Sequence, residues 1–145
     1  MENKKVESFQ DLIVWQKGIQ LVSDIYDLTE NFPKDEMYGL SGQLKRAAVS
    51  VPANIAEGWG NGATKNYGRF LRIARGSLFE VDTLMIIATR LKFVNQERSN
   101  EIRNKITETG RMLNALITKL KNKKTSGNKV AGNGNYQPLS PKPKP

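Results

Sequence analysis

Residues 64–93 read TKNYGRFLRIARGSLFEVDTLMIIATRLKF, a stretch without proline. At about 100° per residue, Tyr67, Phe70, Leu71, Ala74, Leu78, Val81 and Met85 share one face, and Lys65, Arg69, Arg72 and later Arg90 share the opposite one. This is a long amphipathic helix, with Thr64 expected as its N-cap and Phe93 near its end. Leu84, Met85, Ile86, Ile87 and Ala88 are apolar all round it, more than one small bundle can cover, so a subunit contact is expected.

Three more segments on either side carry the same period, and none alternates with period two long enough to make a strand. The chain reads as all-α. In the first segment, about Ser8 to Asn31, Val14, Gly18, Leu21, Ile25 and Leu28 form one seam. Leu12, Trp15, Ile19, Val22 and Tyr26 form a second, so the helix should touch two neighbours. Ser8 is its expected N-cap and Pro33 its stop. The second segment, about Ser41 to Trp59, stripes Leu44, Ala48, Val51 and Ile55, with a kink or break expected at Pro52. Gly58, Gly60 and Gly62 are expected to end it. A phosphate-binding reading of residues 57–62 fails, because no strand precedes the glycines and the P-loop lysine is missing. The fourth segment follows Asn95 and carries Ile102, Ile106, Thr109, Leu113, Leu116 and Leu120 on one seam.

These segments define one domain, residues 8–124, preceded by a flexible N-terminus (1–7) and followed by a Gly-, Asn-, Pro- and Lys-rich tail (125–145) expected to be disordered. No stretch approaches the length of a transmembrane helix and no signal peptide opens the chain, so a cytoplasmic location is expected. The 145 residues include no Cys and no His, which removes disulfides, thiolate nucleophiles, the commonest general base and the usual transition-metal ligands. A di-iron bundle site, which needs Glu-x-x-His pairs, cannot be completed. Glu57, Glu80 and Asp82 are the carboxylates expected nearest the interior. A carboxylate-only Mg²⁺ site is the weaker reading, and ion pairs of Glu57 and Glu80 with Arg46 or Arg75 the stronger. No catalytic residue, metal site or cofactor is assigned, and the chain is not read as an enzyme. Trp15 and Trp59 are read as core or interface anchors rather than base-stacking platforms.

Charge is distributed unevenly. The net charge is +9; residues 1–40 hold four basic and eight acidic side chains, and residues 41–124 hold sixteen and six. That asymmetry suits a polyanionic partner, although a solubilising surface gives the same composition. Lys65, Arg69 and Arg72, at i, i+4 and i+7, align three cations on one edge, and Lys105, Arg111, Lys119 and Lys123 of the fourth segment add to them. These seven are the candidate nucleic-acid contacts. No helix-turn-helix, zinc-finger or RNA-recognition signature accompanies them, so binding would be electrostatic.

Asp11 to Lys17, Phe32-Pro33 with Tyr38-Gly39-Leu40, Gln43 to Gly58 (ending Ala53-Asn54-Ile55-Ala56-Glu57-Gly58) and Phe70 to Glu80 (with Gly76-Ser77-Leu78-Phe79-Glu80) together resemble the four-helix-bundle family of 23S rRNA-intervening-sequence proteins. The resemblance covers about residues 8–122 and implies an antiparallel up-down four-helix bundle assembled as a homopentamer. Related proteins include the accessory variability determinant of diversity-generating retroelements, a basic pentamer that works with a reverse transcriptase and its template RNA. The expected function is a non-enzymatic, oligomeric scaffold for nucleic acid, structured RNA above all, with a reverse transcriptase as a partner protein. The alternative is a protein-interaction adaptor ring with no nucleic-acid role.

Overall fold

The computed structural model describes residues 5–127, with side chains as far as residue 123. Most of the expected flexible N-terminus and nearly all of the expected disordered tail therefore lie outside the described residues. The elements are α1 (Ile13–Thr29), α2 (Leu40–Asn61), α3 (Thr64–Arg90) and α4 (Gln96–Gly127), with short 3₁₀ turns at Phe9–Asp11 and Lys34–Glu36. No strand occurs among the described residues. The last helix runs to Gly127, past the boundary expected at residue 124.

Interhelical contacts fix the topology. Gly18 of α1 lies against Pro52 of α2 and the Lys45 ammonium sits 4.9 Å from the Tyr26 ring centre. Ser77 donates to Ser50 across α2–α3 at 2.8 Å. Arg75 meets Asn114, and Arg103 meets Asp82, across α3–α4; Lys17 meets Glu108, and Asp24 meets Lys105, across α1–α4. Residue numbers rise on one helix as they fall on its neighbour in every pair, so each helix is antiparallel to the next and α4 closes against α1. The result is an up-down-up-down four-helix bundle.

The seams behave as their periods dictate. Val14, Gly18, Leu21, Ile25 and Leu28 are all buried, as are Leu44, Ala48, Val51 and Ile55. The second seam of α1 climbs out of the core instead, leaving Ile19 and Tyr26 exposed. In the apolar block of α3, Leu84, Met85 and Ala88 are buried and Ile87 is exposed.

Five local expectations need correction. Ser8 caps the first 3₁₀ turn, in a capping box with Asp11, and α1 itself starts only after the extended Leu12. Pro52 lies inside an uninterrupted α2, so of the expected kink or break the break does not occur. Thr64 is the first helical residue of α3, whose N-cap is Ala63. Gly58 does not end α2. A Cβ there would stand 2.8 Å from the Phe70 Cβ, so glycine is needed for close approach to α3, and the helix stops at Gly62, whose φ of +90° is left-handed. At the other end of the α3–α4 hairpin, Phe93 N–H returns to the Ala88 carbonyl and Lys92 N–H to Thr89, with Lys92 at φ 66°. This Schellman turn ends α3 at Arg90, short of the expected Phe93, and brings Phe93 to 5.4 Å from the Phe32 ring.

Candidate nucleic-acid interface

The α3–α4 hairpin is divided into two electrostatically different halves. Residues 80–108, which form the end nearest the α3–α4 turn, hold five cations and five carboxylates, whereas residues 64–79 and 109–127, at the other end, hold nine Lys and Arg and no Asp or Glu. In the balanced half three of the five cations, Arg98, Arg103 and Lys105, are held by carboxylates. Arg103 grips Asp82 through two bonds of 2.7 and 3.1 Å. Lys105 reaches Asp24, which is nearly buried and also accepts from Gln20. Lys17 meets Glu108, and Arg98 meets Glu101 and Asp27.

In the other half Lys65, Arg69, Arg72, Arg111, Lys119 and Lys123 have no ion-pair partner among the described residues. Lys65 and Arg69 are exposed on one edge of α3, with Arg69 5.0 Å from the Phe70 ring, and Arg72 is half-buried. Arg75 donates to Asn114 at 2.9 Å, and Arg111 stands one turn earlier on α4. Burial, and next the charge of Arg72, push the Arg75 guanidinium below its usual range, while the hydrogen bond to Asp82 raises that of Arg103. The two arginines report opposite surroundings: one lies among like charges, the other beside its counterion.

The seven candidate contacts therefore separate. Lys65, Arg69 and Arg72 share the outer edge of α3 as their spacing implies. Lys119 and Lys123 face a different feature, a cavity of about 460 Å³ at the acid-free end of the bundle, lined also by Leu12, Trp59, Tyr67 and Leu116. Lys105 belongs to neither group, since it is engaged by Asp24 from the neighbouring helix. The expected pairs of Arg46 or Arg75 with Glu57 or Glu80 do not form. Arg46, Glu57 and Glu80 are exposed, and Arg75 takes an amide partner instead. Asp82 is held by Arg103, and among the described residues no group of three acidic side chains could hold a metal ion. The buried carboxylate is Asp24, one position before Ile25 on the first seam, which sequence reading passed over.

The cavity wall carries one further anomaly. Trp59 and Tyr67 meet edge to face at 6.2 Å, and the Tyr67 hydroxyl is shielded from solvent with no hydrogen-bond partner among the described atoms. Burial pushes its pKa up to about 12, so the group keeps its proton. No helix among the described residues is long and apolar enough to cross a membrane.

Comparison with solved structures finds a protein of unknown function from the S23 ribosomal protein family of Bacteroides thetaiotaomicron, with a TM-score of 0.67 at 23% identity over 72% of this chain and 97% of that one. At that identity the likeness establishes the four-helix fold. No curated protein matches the chain. Residues 10–115 match the family model described as 23S rRNA-intervening sequence protein, which takes in both seams of α1, the Pro52 helix and the whole α3–α4 hairpin down to Ala115; the chain belongs to that family.

Proposed function

We propose that the protein is a non-enzymatic, self-assembling cytoplasmic scaffold that binds structured RNA through the acid-free half of its α3–α4 hairpin. The observation that carries this reading is the segregation of charge. Residues 64–79 and 109–127 hold nine cations and no Asp or Glu, and six of those cations, Lys65, Arg69, Arg72, Arg111, Lys119 and Lys123, have no ion-pair partner among the described residues. A polyanion gains from such a surface mainly by releasing its counterions.

Exposed apolar surface supports the same reading. Ile73, Phe79 and Ile87 of α3 and Leu91 just after it are each at least 40% exposed, an outward apolar surface suited to a second copy. A homopentamer, the assembly that the family resemblance implies, presents five copies of a modest patch and converts weak phosphate contacts into avidity. Such a ring is also suited to work beside a reverse transcriptase on its template. The same apolar surface favours a second reading, an adaptor that holds a partner protein and has no nucleic acid.

Salt separates the two. The scaffold reading expects RNA affinity that falls linearly on a log–log plot against salt, together with a sedimentation mass of several protomers at micromolar concentration. No RNA binding at low salt leaves the adaptor, and a monomeric mass removes the assembly from both readings.

A further inference from the structure

The cavity gives the nucleic-acid reading a narrower ligand. Its volume of about 460 Å³ falls within the range of small-molecule sites. Trp59 and Tyr67 supply flat aromatic surface, and Leu12 and Leu116 supply aliphatic surface. Lys119 and Lys123 stand among the lining residues, as does Thr64 at the start of α3, where Ala63 offers no side-chain cap and the first backbone N–H groups lack helical acceptors. No carboxylate lines the cavity. Flat apolar walls beside cations and free N–H donors fit a planar ring joined to an anion, which describes a nucleotide.

We infer that this cavity takes one unstacked nucleotide of a single-stranded RNA segment, with the base against Trp59 and the flanking phosphates on Lys119 and Lys123. The inference rests on the RNA-binding reading above and adds to it: the α3 edge follows phosphates of any sequence, while the cavity selects unpaired bases. A base within a duplex is stacked and cannot enter without being flipped out. The chain's own residues 128–145 are a poor occupant, since they carry three lysines and no Asp or Glu and would be repelled by Lys119 and Lys123.

The test uses the full chain and three RNA probes of about a dozen nucleotides: an unstructured strand, the same strand made abasic, and its duplex. The unstructured strand should bind the unmodified protein more tightly than the abasic strand, with a similar salt slope. In a Trp15→Phe background, where Trp59 is the remaining tryptophan, it alone should quench the emission. Trp59→Leu should lower its affinity about 5- to 150-fold and leave the abasic strand unaffected. Equal affinity for intact and abasic strands, read on the unmodified protein and so independent of how any variant folds, overturns the cavity while the scaffold reading stands. Failure of all three probes to bind overturns both. A change in Trp59 emission on removing residues 128–145 without RNA shows that the chain fills its own cavity and also overturns the inference.

Discussion

Arg103 and Arg75 both cross from one helix of the α3–α4 hairpin to the other, yet they do different work. Arg103 meets a carboxylate through two bonds, and its guanidinium is held above its usual range; Arg75 meets an amide, stands near another arginine, and is held below it. The contrast extends to the two halves. Toward the α3–α4 turn, Thr89 bonds both Met85 and Ser99, and Arg98, Arg103 and Lys105 each meet a carboxylate. At the other end Lys65, Arg69, Arg72, Arg111, Lys119 and Lys123 lack counterions among the described residues, a hydroxyl is orphaned and a cavity opens. One half is arranged for register and stability. The other holds charge and space that folding alone does not require, the pattern expected where a fold carries a binding surface.

The sharpest way to break this division is to neutralise the α3 edge. Lys65→Gln, Arg69→Gln and Arg72→Gln together keep helix propensity and remove no described ion pair, so the bundle should unfold at an unchanged or slightly higher temperature. RNA affinity should drop for all sequences alike. With about 0.7 to 0.9 lost from the log–log salt slope per phosphate contact, the three together make it about 2 to 3 shallower and cost about a hundredfold or more at 0.1 M salt. Binding titrations at several salt concentrations check both numbers. An unchanged slope removes this edge from the interface.

The same operation on the paired half should have the opposite signature. Lys105→Met leaves Asp24, whose side chain is 11% exposed, with Gln20 as its remaining described partner, and should cost about 1–2 kcal/mol in urea unfolding. RNA affinity should change little. Adding Asp24→Leu removes the stranded charge and should recover most of the loss. If Lys105→Met instead weakens RNA binding as much as the triple variant while stability holds, the two halves are not distinct in function.

Lys105 also shows where sequence reading runs out. Its charge and its place outside the apolar seam are legible, and so it joined Arg111, Lys119 and Lys123 as a candidate contact. Its partner Asp24 lies 81 residues away, and only the register between α1 and α4 brings them to 2.9 Å. The same ignorance of register misassigned Arg46, Glu57, Arg75 and Glu80, whose expected pairing followed from plausible proximity rather than from a fixed alignment of helices. Seams such as Leu44, Ala48, Val51 and Ile55 were legible because the 3.6-residue period alone decides which side is buried. Gly58 was misread because glycine's weak helix propensity argues for a stop, and tertiary packing overrode it: contact with Phe70 and Tyr67 demands a residue without a side chain inside the helix. The cavity was hidden for a related reason. It forms where the N-terminal segment, the α2–α3 turn and the end of α4 converge, and no single window of sequence contains it.

The smallest expected effect tests whether the acid-free half gives up stability for its cavity. The Tyr67 hydroxyl is shielded without a partner, so Tyr67→Phe, which removes the oxygen and keeps the ring against Trp59, should raise stability at neutral pH by about 1 kcal/mol or less. The pH profile gives an independent sign. Folding raises this phenol from 10.0 to about 12, so the stability linked to its protonated form is complete below pH 10 and is lost as pH rises toward 12, where the unfolded chain ionises first. Urea unfolding between pH 8 and 11 should therefore show a steeper alkaline decline in the parent than in Tyr67→Phe. A variant that is less stable than the parent at pH 8 would mean that the hydroxyl finds a partner in solution. An equal alkaline decline would place the phenol in contact with water, and in either case the orphaned donor would no longer mark this half as strained for the sake of a ligand.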